Sequence, residues 1–148
     1  MNRTIIKLFF YLCILTALPS YAQNAVHYYF KTMDIRNGLS QNTVYQILQD
    51  RKGFMWFGTK DGLNRYDGLS YRVYKKENSG LGKNFITALY EDHEGNIWIG
   101  TDGGVFIYNP VLDSFTAFNQ TSDKGTVIKD FVTMIGSDEY DNIWISVE

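Results

Sequence analysis

The chain has 148 residues with 14 basic and 16 acidic side chains, so its formal net charge is only −2. No run of Lys or Arg exceeds the pair Lys75-Lys76, whereas a nucleic-acid-binding domain needs a clustered basic face. We therefore reject nucleic acid as a partner. Aromatic residues make up 16% of the chain and only two residues are Pro, a balance that favours strands with large packed side chains over disorder.

The N-terminus has the pattern of a secretory signal peptide. Arg3 and Lys7 supply a basic region, Leu8–Leu18 an apolar region, and the residues up to Ala22 a small-residue cleavage pattern. An uncleaved membrane anchor is the alternative, but this apolar run of 11 residues falls short of the roughly 20 that span a bilayer. We predict residues 1–22 as a signal peptide of an exported chain. Its only cysteine, Cys13, lies there, which excludes disulfides and cysteine chemistry from the mature chain.

A ten-residue motif recurs along the rest of the chain. Residues 50–59 (DRKGFMWFGT) return as residues 92–101 (DHEGNIWIGT), and a degraded copy follows at residues 138–146 (DEYDNIWIS). The steps between the three tryptophans are 42 and 46 residues. A nearly fixed step in this range indicates repeat units that cannot bury their apolar faces alone. The structural positions of the repeat are Trp56, Trp98, Trp144, Asp50, Gly53, Asp92 and Gly95.

Each unit is predicted to form four short strands separated by Gly, Asn or Asp. In the first unit these strands are Val44–Leu48, Phe54–Gly58, Leu63–Tyr66 and Tyr71–Tyr74. The turn after the first strand begins with Asp and reaches Gly at its fourth position. Asp can bind backbone amides two residues on, and Gly accepts a positive φ. We therefore predict a hairpin whose type I turn is followed by a left-handed residue.

Four strands per unit and a step near 42 residues predict an all-β chain that forms a partial β-propeller of about two and a half four-stranded blades. The three tryptophans are expected to fill the gaps between adjacent sheets. A linear β-solenoid is the alternative, although its coils are usually shorter than this step. The predicted domains after the signal peptide are a leading segment with the closing strand (23–43), the first blade (44–85), the second blade (86–131) and a truncated third blade (132–148).

Motifs for catalysis or metal binding are missing from the sequence. The two histidines, His27 and His93, do not form a zinc-ligand pattern, and His93 is expected to face solvent in a turn. Asp92, Glu94 and Asn96 hint at a calcium loop, but Trp98 follows where an EF-hand loop would continue to a bidentate Glu. Carboxylates such as Asp102 and Asp113 are interpreted as turn and surface residues. We expect no enzyme activity, no cofactor and no metal from this chain.

The motif Asp-x-x-Gly-x-x-Trp-x-Gly-Thr, followed by Gly-Leu-x-x-Tyr-Asp at residues 62–67, resembles the two-component regulator propeller repeat. The preceding Asn37–Asn42 is similar to the usual opening of such domains. The resemblance covers the chain from about Tyr28 to its end. It implies the N-terminal periplasmic sensor region of a hybrid two-component sensor histidine kinase, an inner-membrane protein. An exported carbohydrate-binding propeller or a polysaccharide lyase without a kinase is the alternative.

The same resemblance implies an oligosaccharide ligand, a homodimer, and the remaining blades and kinase of the same protein as partners. In propellers the fourth-to-first and second-to-third connections share one face, and their polar groups can pair with sugar hydroxyls, although any exposed loop contains such groups. The connections are Arg36–Asn42, Asn78–Asn84, Thr121–Asp130, Lys60–Gly62 and Asp102–Gly104. The candidate ligand-binding residues on them are Asn37, Ser40, Asn42, Lys60, Asp61, Asn84 and Asp102.

Overall fold

A computed structural model of the chain describes residues 27–118 and 128–148, together with Arg3 and Lys7. The chain divides into two compact units, Met1–Lys31 and Thr32–Glu148. The predicted signal peptide lies outside the described residues apart from Arg3 and Lys7, so it stays a prediction. In the first unit, residues 27–31 form neither helix nor strand, and Tyr28, Tyr29 and Phe30 are exposed. No helix within the described ranges is both long and apolar enough to cross a membrane.

The second unit contains ten described strands in three antiparallel sheets. The first sheet consists of β1 (Val44–Gln49), β2 (Met55–Thr59), β3 (Gly62–Tyr66) and β4 (Tyr71–Tyr74), in that order across the sheet. The second consists of β5 (Ile86–Glu91), β6 (Ile97–Thr101), β7 (Gly104–Asn109) and β8 (Ser114–Ala117). The third pairs β9 (Val132–Ser137) with β10 (Ile143–Val147). The all-β prediction is confirmed, and the four strands predicted for the first unit agree with the observed strands to within one residue at each end.

The three sheets are arranged as blades around a common centre. Their backbones approach most closely through the first strands, β1 with β5 and β5 with β9. Apolar side chains from two neighbouring sheets fill each space between blades. Trp56 and Leu63 of the first sheet pack with Ile86 and Ile99 of the second, and an equivalent cluster joins the second sheet to the third. Each blade therefore completes the hydrophobic core of its neighbour.

The three repeated tryptophans occupy equivalent positions in β2, β6 and β10 but differ in exposure. Trp56 and Trp98 are 1% and 8% exposed, and each indole packs within the cluster shared with the sheet that follows in the chain. Trp144 is 62% exposed. The expectation that all three indoles fill gaps between sheets is therefore wrong for Trp144, because no described sheet follows β10 on that side.

A glycine near the end of β2 and of β6 lets neighbouring blades approach. A Cβ atom on Gly58 would lie 2.7 Å from Cγ2 of Ile86, and one on Gly100 would lie 2.6 Å from Cγ1 of Val132. Real Cβ atoms essentially never make contacts this short. The first residue of the next blade thus explains the glycine in the Trp-x-Gly-Thr motif. Ser146 occupies the equivalent position in β10. No described sheet packs on this position, so a residue larger than glycine fits there.

The segment before the first sheet contains a short 3₁₀ helix, Ile35–Asn37. Asp34 caps this helix by accepting a hydrogen bond from the Arg36 amide at 2.9 Å, and the Asn37 side chain accepts one from the Asp34 amide at 3.2 Å. Gly38 ends the helix with a φ of 108°. The described part of residues 23–43 contains this helix and no strand. A closing strand in this segment therefore stays a prediction.

Candidate functional site

An aspartate in each first hairpin turn holds the tryptophan of the following strand. In the second blade, one carboxylate oxygen of Asp92 accepts hydrogen bonds from the amides of Glu94 and Asn96, at 3.0 and 2.8 Å. The other oxygen accepts a hydrogen bond from Nε1 of Trp98 at 2.7 Å. The equivalent carboxylate–indole distances are 2.8 Å for Asp50 and Trp56 and 3.0 Å for Asp138 and Trp144. The spacing Asp-x-x-Gly-x-x-Trp therefore defines a hydrogen-bonded unit. Sequence periodicity alone did not reveal the hydrogen bond from the indole to the carboxylate.

The left-handed residue predicted for these turns is present in all three blades. Gly53 and Gly95 have φ values of 89° and 86°, and Asp141 takes the same conformation with a φ of 63°. His93 of the second turn is exposed, as predicted. Its Nδ1 lies 3.5 Å from a carboxylate oxygen of Asp141 in the third turn. The turns of successive blades are thus neighbours on one face of the array.

Hydrogen bonds favour the ionised form of the turn carboxylates of Asp92 and Asp138. Burial raises the pKa of Asp92, but the hydrogen bonds from Trp98, Asn96 and the turn amides outweigh it and hold this pKa below the ordinary 3.8. In the exposed third turn, hydrogen bonds from Asn142 and Trp144 lower the pKa of Asp138 to about 2. At neutral pH both carboxylates are anions whose oxygens are already engaged, so they act in structure and not in proton transfer.

The predicted ligand-binding loops lie on the opposite face, at the other ends of the strands. The Gly62 amide donates to the Asn84 carbonyl at 2.8 Å, and the Lys60 amide donates to the Gln41 side chain at 3.2 Å. The Asp102 amide donates to the Phe85 carbonyl at 3.3 Å. In these contacts, the loop between the second and third strands of a blade lies against a loop that leads into the first strand of a blade. Most of the predicted connection Thr121–Asp130 falls outside the described residues.

Several predicted ligand-binding side chains already have internal partners. Asn37 caps the 3₁₀ helix, and Asn42 accepts a hydrogen bond from the Ile35 amide at 3.0 Å. Ser40 shares a hydrogen bond with the hydroxyl of Thr59 at 2.9 Å. Asn84 accepts from the Lys76 amide at 2.8 Å, and Asp61 pairs with Lys75 at 2.7 Å. Of the seven candidates, Lys60 and Asp102 remain as exposed side chains on loop tips.

A groove of about 480 Å³ opens between the first hairpin turns of the first two blades. Arg51 spans it, because its guanidinium donates to the carbonyls of Asp92 and His93 and its amide donates to Glu91 at 3.0 Å. Phe54 and Pro110 supply apolar wall. Charges of both signs line this groove, so it suits a polar ligand better than an apolar one. Sequence reasoning placed no ligand here, since the turn residues matched a structural pattern.

A charged cluster at the back of the groove joins the first blade to the second. Asp113 accepts hydrogen bonds from the hydroxyls of Tyr74 and Tyr108, both at 2.7 Å, and forms an ion pair with Arg72. Arg65 donates to the Tyr108 hydroxyl at 2.6 Å. Burial raises the pKa of Asp113, but the hydrogen bonds from the two tyrosines and the charges of the two arginines outweigh burial. The net result is a pKa below the ordinary 3.8. Asp113 lies in a turn, as predicted, with a left-handed φ of 51°, but its side chain is half-buried and bonded to both blades.

Burial and the hydrogen bonds to Asp113 raise the pKa of Tyr74 above its ordinary value of 10. The tyrosine is therefore a hydrogen-bond donor at neutral pH and not a base. Across the described part of the chain, no group of three or more His, Cys, Asp or Glu residues could hold a metal ion. The described site consists of hydrogen-bonded side chains and a groove between the first two blades.

The family comparison matches the segments that build the first half of each blade. Residues 38–61 and 80–103 match the family model of the two component regulator propeller. These two segments are similar to two-component regulator propeller repeats. Each matched segment includes the loop before the first strand, the first two strands and the turn that follows. The repeat signature therefore covers the Asp–Trp unit and the glycine on which the next blade packs.

Solved structures that are similar to this chain are extracellular domains. One belongs to a protein of B. thetaiotaomicron described as the hybrid two component system BT3049, at 31% identity over 78% of this chain, with a TM-score of 0.67. Another belongs to BT4673 of the same organism, at 31% identity over 70% of this chain, with a TM-score of 0.60. The chain spans 17% and 15% of these two structures. The likeness confirms the propeller-type fold of the described blades.

A histidine kinase is similar in sequence as well. Histidine kinase P4 of Formosa agariphila is 42% identical over 59 residues, which is 40% of this chain and 4% of that protein. The chain spans a small part of each of these relatives.

Proposed function

We propose that this chain belongs to the periplasmic ligand-sensing β-propeller of a hybrid two-component sensor that detects oligosaccharides and controls a cytoplasmic histidine kinase. The observation that carries the proposal is the match of two repeats to the two component regulator propeller, together with likeness to extracellular domains of such systems at 31% identity. In this proposal the segment contributes to ligand binding and not to a reaction, and the turn carboxylates Asp50, Asp92 and Asp138 serve to hold the tryptophans of the blades.

Binding reaches the kinase through differential affinity. The blades form a rigid platform, so an oligosaccharide that binds one arrangement of two protomers more tightly than the other shifts the population toward it. A tenfold difference in affinity between the two arrangements is worth about 1.4 kcal/mol. In this proposal the sensor is a homodimer in the inner membrane, and the remaining blades and the kinase of the same protein are its partners.

A phosphorylation assay on the intact sensor in membranes tests the proposal. Membranes are incubated with labelled ATP and with oligosaccharides prepared by partial digestion of several polysaccharides. We expect one digest to change the rate of autophosphorylation several-fold. A matched sensor lacking residues 32–148 should phosphorylate at a rate that no digest alters. A reading frame that continues without a kinase, with polysaccharide cleavage by the purified product, would instead support the alternative of an exported lyase.

A further inference from the structure

Arg65 of β3 lies at the back of the groove between the first hairpin turns of the first two blades. Its guanidinium carbon lies 4.8 Å from the centre of the Phe54 ring, and its Nη1 donates a hydrogen bond to the Tyr108 hydroxyl at 2.6 Å. These contacts fix the guanidinium, yet 21% of the side chain stays exposed. The groove therefore contains a positioned cation that a ligand can reach.

The donor groups of Arg65 are only partly used. A guanidinium presents a planar fork of N–H donors, and the hydrogen bonds that Arg65 donates to described residues involve Nη1 alone. Nε and Nη2 donate to none of these residues, and neither is among the buried polar atoms of the described chain that have no partner. Both nitrogens are therefore accessible, so the edge of the guanidinium that they form is free for a ligand.

The acidic groups near Arg65 leave this donor edge open. Asp113 lies 3.7 Å from Nη1, but it also pairs with Arg72, so two guanidinium groups share one carboxylate. Asp50 accepts hydrogen bonds from amides of its own turn and from an indole. Glu91 accepts a hydrogen bond from an amide of the neighbouring turn at 3.0 Å. A carboxylate that enters the groove can therefore pair with the free edge of Arg65.

The rest of the groove suits a sugar ring that carries a charge. Lys52 is exposed on the rim and forms no ion pair with a described residue. Phe54 and Pro110 supply apolar wall. Glu94 lines the side formed by the second blade, and its side chain is 69% exposed, so it can accept hydrogen bonds from hydroxyls. Ligand sites commonly combine apolar walls with a few placed polar groups.

We infer that this groove binds a uronate unit of an acidic oligosaccharide, an assignment that rests on the proposed function and gives its ligand a chemical class. The carboxylate would pair with Arg65 through bidentate hydrogen bonds, for which the planar fork of arginine is suited. Lys52 would add charge attraction at the rim, and Glu94 would bind a ring hydroxyl. The groove volume of about 480 Å³ falls within the range of about 300–1,000 Å³ for ligand pockets.

The sharpest variant is Arg65→Lys, which keeps the positive charge and removes the planar fork. Lys52→Gln removes one exposed charge from the groove and breaks no described side-chain hydrogen bond, so it should fold even if Arg65→Lys does not. Its matched control is Lys76→Gln, since Lys76 is also exposed and does not line the groove. Lys60→Gln tests the opposite face, where Nζ of Lys60 lies 5.7 Å from the centre of the Phe85 ring. A melting curve of each variant checks its fold.

The measurement is titration calorimetry of the intact protein with glucuronate and galacturonate, with their neutral counterparts glucose and galactose, and with acetate. We expect at least one uronate to bind about tenfold or more tightly than its neutral counterpart, because the neutral sugar lacks the charged acceptor. Acetate should bind more weakly than that uronate because it lacks the ring. Arg65→Lys should weaken uronate binding about tenfold to a hundredfold, and Lys52→Gln about twofold to fivefold. Lys76→Gln should leave the dissociation constant unchanged.

The other outcomes overturn the assignment. No uronate binding, equal binding of a uronate and its neutral counterpart, or equal binding of acetate and a uronate would show that the groove does not recognise an acidic sugar. Uronate binding that Lys60→Gln weakens, and that Arg65→Lys and Lys52→Gln do not, would place the site on the opposite face. Each of these results leaves the sensor proposal intact if a polysaccharide digest alters autophosphorylation of the intact sensor. If no digest does so while a uronate still binds through Arg65, the sensor proposal fails and the groove remains a uronate site.

Discussion

Substituting Gly100 by Ala tests whether close approach of successive blades explains the glycine of the repeat. The new Cβ would lie 2.6 Å from Cγ1 and 3.0 Å from Cβ of Val132, and 2.9 Å from Cβ of Ala88. The backbone of Gly100 does not require a positive φ, so any cost comes from the blade interface and not from local strain. Overpacking of this kind costs about 1–3 kcal/mol.

The assay is thermal and urea unfolding of residues 23–148, followed by circular dichroism. For the unit Thr32–Glu148, 1 kcal/mol corresponds to roughly 3–6 °C in Tm, so Gly100→Ala should melt about 3–18 °C below the wild type. Gly136→Ala is the control, because no atom lies within 4 Å of its added Cβ, and it should be neutral or up to about 1 kcal/mol stabilising. Adding Val132→Ala to Gly100→Ala should recover part of the loss. Equal melting of both glycine variants would refute the packing argument.

Three further predictions concern the acidic residues and the exposed tryptophan. Because hydrogen bonds lower the pKa of Asp92 below 3.8 and that of Asp138 to about 2, the stability they confer is complete above about pH 4 and is lost as pH falls toward 2. Asp92→Asn should reduce this loss of stability in urea unfolding measured from about pH 2 to about pH 5, and an unchanged pH dependence would contradict the assignment. Asp113→Ala should cost about 1–3 kcal/mol in urea unfolding, because it deprives two tyrosines and two arginines of their acceptor, whereas Asp61→Ala breaks only an exposed pair and should cost less than about 1 kcal/mol. Trp144→Phe should remove the fluorescence component most accessible to acrylamide with little change in Tm, while Trp56→Phe should lower Tm; the opposite order would show that Trp144 is covered.

The strand pattern was predictable from sequence because turn residues mark its limits. Asp50 and Gly53 fix the first hairpin, and the same pair returns as Asp92 and Gly95, so the alignment of repeats places the strands that lie between. Periodicity shows which residues recur but not which atoms meet. The hydrogen bond from the Trp98 indole to Asp92 therefore stayed hidden, although both residues had been recognised as structural.

The candidate site was less predictable because a polar residue type does not reveal its partner. Asn42 and Asn84 looked suited to sugar hydroxyls, yet their side-chain oxygens accept backbone hydrogen bonds within their own loops. Trp144 could be judged only once the structure showed what lies beside it.

Trp56, Gly58, Trp98 and Gly100 each pack against the sheet that follows in the chain, so each blade depends on a segment that is synthesised after it. In the proposed exported protein, a blade finishes folding only after the segment that will shield it has crossed the membrane, one repeat of 42 residues later. At about 5–20 residues per second this delay is roughly 2–8 s. During this delay the tryptophan of the newest blade is exposed and can associate with other chains. A substitution in the first strand of a blade therefore destabilises the preceding blade.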